Sequence, residues 1–208
     1  MAIYLIRHGE TASNAQRRLQ LPETPLSERG LEQAERLAGR LRDAGISRIA
    51  SSDLRRAAST AGAIAATTDA AVELEPLLRE RDFGELRGRL YSDVVDSGLG
   101  DIFSPDLVPP GGESWEAFRT RVAEAWVWVS GRARALEQGG GGHLAVVTHG
   151  LFYRVVLGEH VAGHPGEGHG EEGSGKPLRI GNTALSVIGA APPHRAALVA
   201  CVAHLDEG

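Results

Sequence analysis

Two rhythms of apolar positions alternate along the chain. Residues 2–6 are apolar and β-prone and stop at Arg7-His8-Gly9, as a buried strand does where it meets a loop. Leu31, Ala34, Leu37, Ala38 and Leu41 then recur at helical spacing behind Ser27, a good N-cap, with Gly45 as a stop; this predicts a helix over 27–44. The rhythm returns to a strand at 46–51, to an Ala-rich helix at 53–67 and to a short strand at 72–74 closed by Pro76. Pro105, Pro109, Pro110, Gly111 and Gly112 mark a loop, and 114–137 reads as a long helix. A strand at 143–148 ends in His149-Gly150, a helix follows over 151–162, and two late strands are expected at 186–188 and 197–203. Strands alternating with helices predict an α/β fold: a three-layer α/β/α sandwich with a mostly parallel central sheet. One domain is expected over 1–208, with substrate-side insertions at about 82–114 and 158–182.

Charge and composition narrow the function. The formal net charge of -5 gives no support for nucleic acid as a partner, so an anionic ligand would need a local cluster of cations. No apolar run reaches the ~20 residues of a membrane helix. The single cysteine, Cys201, sits in an apolar run and reads as a small buried hydrophobe. With no basic leader before the first apolar stretch, a cytoplasmic protein is expected. Residues 163–176 are rich in Gly, Glu and His and read as a surface loop; His164 and His169 there are weak candidates for a metal. Nothing in the sequence sets the oligomeric state.

The chemistry-bearing residues collect at strand ends. Tyr4 to Gly9 and Ala145 to Gly150 share one design, an apolar strand ending in His-Gly. Ligands of open α/β sheets bind outside the carboxyl ends of strands, so His8 and His149 belong on one edge. Gly9 and Gly150 let the backbone turn and a ligand come close. Arg7 offers a permanent charge and a planar fork of donors, which suits phosphate oxygens and repels a metal ion. Asn14 adds an amide donor. Ser51 to Ala57 occupies another strand-to-helix junction, where backbone donors favour phosphate, and either Arg55 or Arg56 can reach such a pocket. Glu80 is a candidate proton donor and acceptor.

Taken together, these residues resemble the histidine phosphatase superfamily, the phosphoglycerate-mutase-like proteins. The Arg-His-Gly-Glu-Thr signature stands whole at Arg7 to Thr11, and Pro25 to Ala34 is similar to the family's Leu-Ser/Thr-x-x-Gly-x-x-Gln-Ala helix start. Ser52 to Ala61 is similar to the second arginine motif, which makes Arg56 the phosphate ligand in place of Arg55. Glu80 with Phe83, Gly84 and Gly88 matches the acid motif, Gly111 to Ser114 a substrate-side loop, Thr148 to Gly150 the second histidine motif, and Asn182 to Ala184 the entry to a late strand. The resemblance implies that His8 becomes a phosphohistidine, that Arg7, Arg56, His149 and Asn14 hold phosphoryl oxygens, and that Glu80 moves the proton. Gly9, Gly150, Glu113 and Ser114 are implied on the substrate side. Neither a cofactor nor a metal is implied, and the partner is a small-molecule phosphate ester.

Departures from the pattern bear on the substrate. Leu19 to Thr24 replaces the family's Gly-Trp-x-Asp, and the basic, tyrosine-rich insertion of the cofactor-dependent mutases is missing, which favours a phosphatase over a mutase. The two insertions carry few basic side chains alongside Tyr91, Leu99 and Phe103, with Trp115 nearby. A substrate with one phosphate and neutral bulk is therefore expected. Two other classes stay open on sequence: a metallohydrolase using His8, His149 and Glu80 as ligands, and a protein that binds a phosphorylated metabolite without turning it over.

Overall fold

A computed structural model describes residues 1–163 and 178–206. Its elements follow the expected alternation: β1 (Ala2–Arg7), a one-turn α1 (Ala12–Ala15), α2 (Glu28–Leu41), β2 (Ile46–Ser51), α3 (Arg55–Thr68), β3 (Ala71–Leu74), a short α4 (Tyr91–Val94), α5 (Trp115–Gln138), β4 (His143–Thr148), α6 (Gly150–His160), β5 (Leu185–Gly189) and β6 (Ala196–Cys201). The strands form one sheet in the order β3-β2-β4-β1-β5-β6. Only β5 runs against its neighbours, pairing antiparallel with both β1 and β6. The 163–176 stretch, with His164 and His169, lies outside the described residues apart from Gly163.

Period-two alternation in the central strands builds two cores. Ile3 and Leu5 of β1 and Leu144 and Val146 of β4 face α5 and α6, packing with Phe118, Val122, Val129, Phe152 and Val156. Ile6, Ala145 and Val147 face α2 and α3, packing with Leu37, Leu41, Ala57, Ala61 and Ile64. Both faces of the sheet are thus covered by helices, which is why its central strands read as near-continuous apolar runs. Leu31, counted on the buried face of α2 from spacing, is half exposed; Gln33 is buried in its place, accepting the Glu10 N–H through Oε1 at 2.9 Å. Cys201 is only partly buried, with Arg40 Nη1 3.2 Å from its Sγ. Among the described residues no helix is long and apolar enough to cross a membrane.

The loop after β1 is held by backbone against backbone. Ser27 caps α2 through its hydroxyl, accepting the Gly30 N–H, while its own N–H donates to Glu10 O at 2.9 Å. This draws α2 so close that a Cβ on Gly30 would lie 2.0 Å from Glu10 O, and one on Gly9 2.5 Å from Gly30 O. Gly84, with φ +49°, meets the second loop in the same way: a Cβ there would lie 2.1 Å from Pro110 O.

Gly30→Ala tests this contact. Helix propensity alone favours Ala by about 1 kcal/mol, but the obstructing atoms are backbone and cannot rotate away. A net destabilisation of about 2 kcal/mol or more is expected in urea unfolding. Gly39→Ala on the same helix, where a Cβ meets nothing within 4 Å, should stabilise by about 0.5–1 kcal/mol. Equal effects at the two positions would show that the close approach carries no weight.

Candidate active site

Strand register brings the site together. In the parallel β1–β4 pair Arg7 lies opposite Thr148, and the His8 N–H donates to Thr148 O at 2.9 Å. On the other side of β4 the Ser52 N–H donates to Val147 O at 2.9 Å. His8, His149 and Ser52 therefore leave three adjacent strands at one level. The two imidazole centroids are 5.1 Å apart and both rings are buried.

Each ring has a defined partner. His8 Nδ1 lies 2.6 Å from Gly9 O. A carbonyl only accepts, so in the neutral ring Nδ1 carries the proton and Nε2 the lone pair. His149 Nε2 lies 2.8 Å from Ser52 Oγ. That hydroxyl also accepts the Leu54 N–H and keeps its own proton for His149 Nε2 when the ring is protonated on the other nitrogen, Nδ1, a buried atom with no partner among the described residues. Burial, then the charges of Arg56 and Arg7, hold both histidines well below the ordinary histidine range; the neighbouring His8 adds to the effect on His149.

The cations come from different elements. Arg7 ends β1 and donates through Nη1 to Ile180 O at 2.7 Å. Arg56, in the first turn of α3, donates through Nη1 to Leu21 O at 3.2 Å and is 3% exposed, whereas Arg55 points to solvent. Burial pulls the Arg56 guanidinium down to about 10, still charged at neutral pH. The Nε atoms of both arginines are buried with no partner among the described residues, which suits an anion-binding site. Asn14 Oδ1 accepts from Thr11 N and from Asn182 Nδ2, which turns the Asn14 amide donors outward on a side chain that lines the cavity. Glu80 reaches the N-terminus of α6, accepting the Leu151 N–H on Oε2 at 2.9 Å and the Phe152 N–H on Oε1 at 3.1 Å. Its carboxylate shares with Arg7, His8 and Arg56 the wall of a cavity of about 940 Å³. Among the described residues no three His, Cys, Asp or Glu side chains converge as metal ligands.

The remaining sequence candidates fall around this centre. Gly9 donates its N–H to Thr60 Oγ1 at 3.1 Å and backs onto α2, away from the cavity. Gly150 does line the cavity, and a Cβ on it would lie 3.3 Å from Arg7 Nε, so its bare backbone leaves room for the guanidinium. Glu113 lines the wall in a bidentate pair with Arg121, both contacts at 2.7 Å. Ser114 caps α5 by accepting the Ala117 N–H and does not reach the cavity. Sequence reasoning missed Ser52, Thr60 and the amide of Asn182, which donates to His8 O and Asn14 Oδ1.

This arrangement has relatives. The profile of the histidine phosphatase superfamily (branch 1) matches residues 3–200. A probable phosphoglycerate mutase GpmB of Enterobacter sp. is 36% identical over 159 residues, 73% of this chain and 70% of that protein. The crystal structure of the α-ribazole phosphatase of Shigella flexneri superposes over the full length of both chains with a TM-score of 0.76 at 27% identity. Bacillus stearothermophilus YhfR covers 99% of each chain with a TM-score of 0.80 at 24% identity, a likeness of fold. The chain belongs to the histidine phosphatase superfamily.

Two buried neutral histidines make stability depend on pH. Unfolded, each takes a proton near pH 6.5; folded, each refuses it until far lower. Their contribution is complete above about pH 6.5 and is lost as pH falls below it, by up to about 1.4 kcal/mol per pH unit for each proton. Urea unfolding between about pH 7.5 and 5 should therefore show a shallower acid loss in His149→Asn than in wild type. Identical slopes would mean that His149 takes its proton in the folded protein.

Proposed function

We propose that this member of the histidine phosphatase superfamily is a phosphomonoesterase that hydrolyses small phosphorylated metabolites through a phosphohistidine on His8. The carrying observation is the contact of His8 Nδ1 with Gly9 O, which leaves a lone pair on Nε2 of a ring that lines the same cavity as Arg7 and Arg56 and feels the charge of both.

In the first step His8 Nε2 attacks phosphorus. The bond from phosphorus to the ester oxygen breaks, and its electron pair leaves with the oxygen, which takes a proton from Glu80. Arg7, Arg56, His149 and the Asn14 amide hold the three remaining oxygens, where charge gathers in the transition state. In the second step water gives a proton to Glu80 and attacks phosphorus; the N–P electron pair returns to Nε2 and inorganic phosphate leaves. The arginines supply the positive charge, so no metal takes part. The likeness to the Enterobacter probable phosphoglycerate mutase supports a second reading, in which the phosphoryl group passes from His8 to another hydroxyl, as in a mutase.

Acid-labile phosphate trapping tests both. Wild type and His8→Ala are incubated with an aryl phosphate in the presence of EDTA, and hydrolysis and protein-bound phosphoryl are followed together. Chelator-resistant turnover is expected, with an adduct labile to acid and stable to alkali that vanishes in His8→Ala along with at least about 10³-fold of kcat. Turnover abolished by EDTA would overturn the mechanism. An adduct that passes its phosphoryl to a sugar hydroxyl faster than to water would favour the mutase reading.

A further inference from the structure

Thr183 holds a backbone conformation that its residue type disfavours. Gly181 to Ala184 form a turn closed by the Ala184 N–H on Gly181 O, and Thr183, the third residue, has φ +53°. Glycine or asparagine is usual at such a position, and a β-branched side chain suits it least. A strained residue persists where its surroundings over-determine it. Here the anchor is the buried hydroxyl: Thr183 Oγ1 donates to Asn182 O at 2.7 Å and lies 2.9 Å from His204 Nε2.

The direction of that second bond follows from Arg40. Burial, then the charge of Arg40, pull His204 down to about 4 against a smaller opposing effect of Asp206, so the ring is neutral at neutral pH. Arg40 Nη1 lies 3.3 Å from His204 Nδ1, and a guanidinium only donates, so Nδ1 accepts and the ring proton sits on Nε2. Nε2–H therefore donates to Thr183 Oγ1, whose own proton goes to Asn182 O.

The turn held in this way grips His8. The Thr183 N–H and Asn182 Nδ2 both donate to His8 O, at 3.3 and 3.2 Å, and Asn182 Nδ2 also reaches Asn14 Oδ1. Arg40 lies in the last turn of α2, whose first turn is pressed against Gly9 and Glu10 of the same loop. His204 sits in a single 3₁₀ turn after β6, Ala203–Leu205, beyond the residues 3–200 that the family profile matches. Neither Arg40 nor His204 lines the cavity, so both act on it from behind.

We propose that His204, oriented by Arg40, is a positioning residue for His8: it locks the Asn182–Thr183 turn, and the turn fixes where the imidazole stands. The proposal rests on the reading of His8 as phosphoryl acceptor, since in-line attack is the step most sensitive to such placement.

Rapid-quench single turnovers with p-nitrophenyl phosphate measure how fast protein-bound phosphoryl forms, at a temperature where circular dichroism shows each variant folded. Competition by inorganic phosphate measures how well the anion is still bound. His204→Ala should slow adduct formation about tenfold while phosphate affinity stays within about twofold of wild type. His204→Gln, whose amide puts a donor near the place of Nε2–H, should recover most of the rate. Thr183→Gly, relaxed at a positive φ but without the hydroxyl, should lose as much as His204→Ala, and the double variant no more than either. An unchanged rate in folded His204→Ala, a Gln variant as slow as the Ala variant, an equal fall in phosphate affinity, or losses that multiply in the double variant would overturn the proposal. If His204→Ala does not fold, Thr183→Ser is compared with Thr183→Gly: the hydroxyl should again account for about tenfold, and equal rates would overturn the link. If wild type forms no adduct, the catalytic reading fails by itself. The imidazole nitrogen resonances of His8, identified by their loss in His8→Ala, then decide the link: a shift in His204→Ala upholds it, and unchanged resonances overturn it.

Discussion

Everything in this molecule is arranged around two guanidinium groups, that of Arg56 buried and that of Arg7 partly buried, beside two imidazoles that must stay neutral. Burying one arginine is costly, and burying a second beside it adds repulsion. The fold offsets this with dipoles and one carboxylate. Ile180 O and Leu21 O each accept a bond from one guanidinium, and the charge of Glu80 acts on both. The compensation is partial, since the Nε atoms of both arginines have no partner among the described residues. A phosphoryl group fits that deficit in both charge and geometry. Burial keeps His8 unprotonated, and the same field that would hold the phosphoryl group adds to that effect, so anion binding and the proposed nucleophilicity share part of their physical origin.

That arrangement needs strands that end at the same height, and this part was legible in the sequence. An apolar run closing in His-Gly signals a strand that stops where a ligand can sit, and two such runs in a parallel sheet must stop on one edge. The β1–β4 register, with Arg7 opposite Thr148, meets that requirement. The choice of Arg56 over Arg55 rested on the family motif, and helix geometry gives it a cause. Consecutive helical residues point about 100° apart, so only one of the two can face inward from the first turn of α3.

What stayed hidden has a common feature: it depends on which side chains meet from distant parts of the chain. Ser52 orients His149 only because β2 lies against β4, and Asn182 reaches His8 O and Asn14 only because β5 runs antiparallel beside β1. Neither residue has a local pattern that announces its task. Glu113 and Ser114 sit in a motif that reads as substrate contact, yet both are occupied in local structure, one in the pair with Arg121 and the other in capping α5. Leu31 shows the same limit for packing. Its spacing suits the buried face of α2, but the tight approach of α2 to Glu10 gives that interior space to Gln33, whose amide can answer a backbone N–H where a leucine cannot.

The cavity thus has two ends built by different means. At the catalytic end the groups are fixed by backbone: strand termini, the Gly9–Gly30 contact and the first turn of α6, which together leave the reacting atoms little freedom. At the outer end the wall is made of side chains from the 82–114 segment and from exposed positions such as Arg154. Substitution at the outer end alters the wall without disturbing strand register, whereas substitution at the inner end changes the electrostatics on which the proposed nucleophile depends. One scaffold can therefore keep a single phosphoryl chemistry while its substrate changes, and specificity is to be sought in the charge of the outer wall and not in the motif residues.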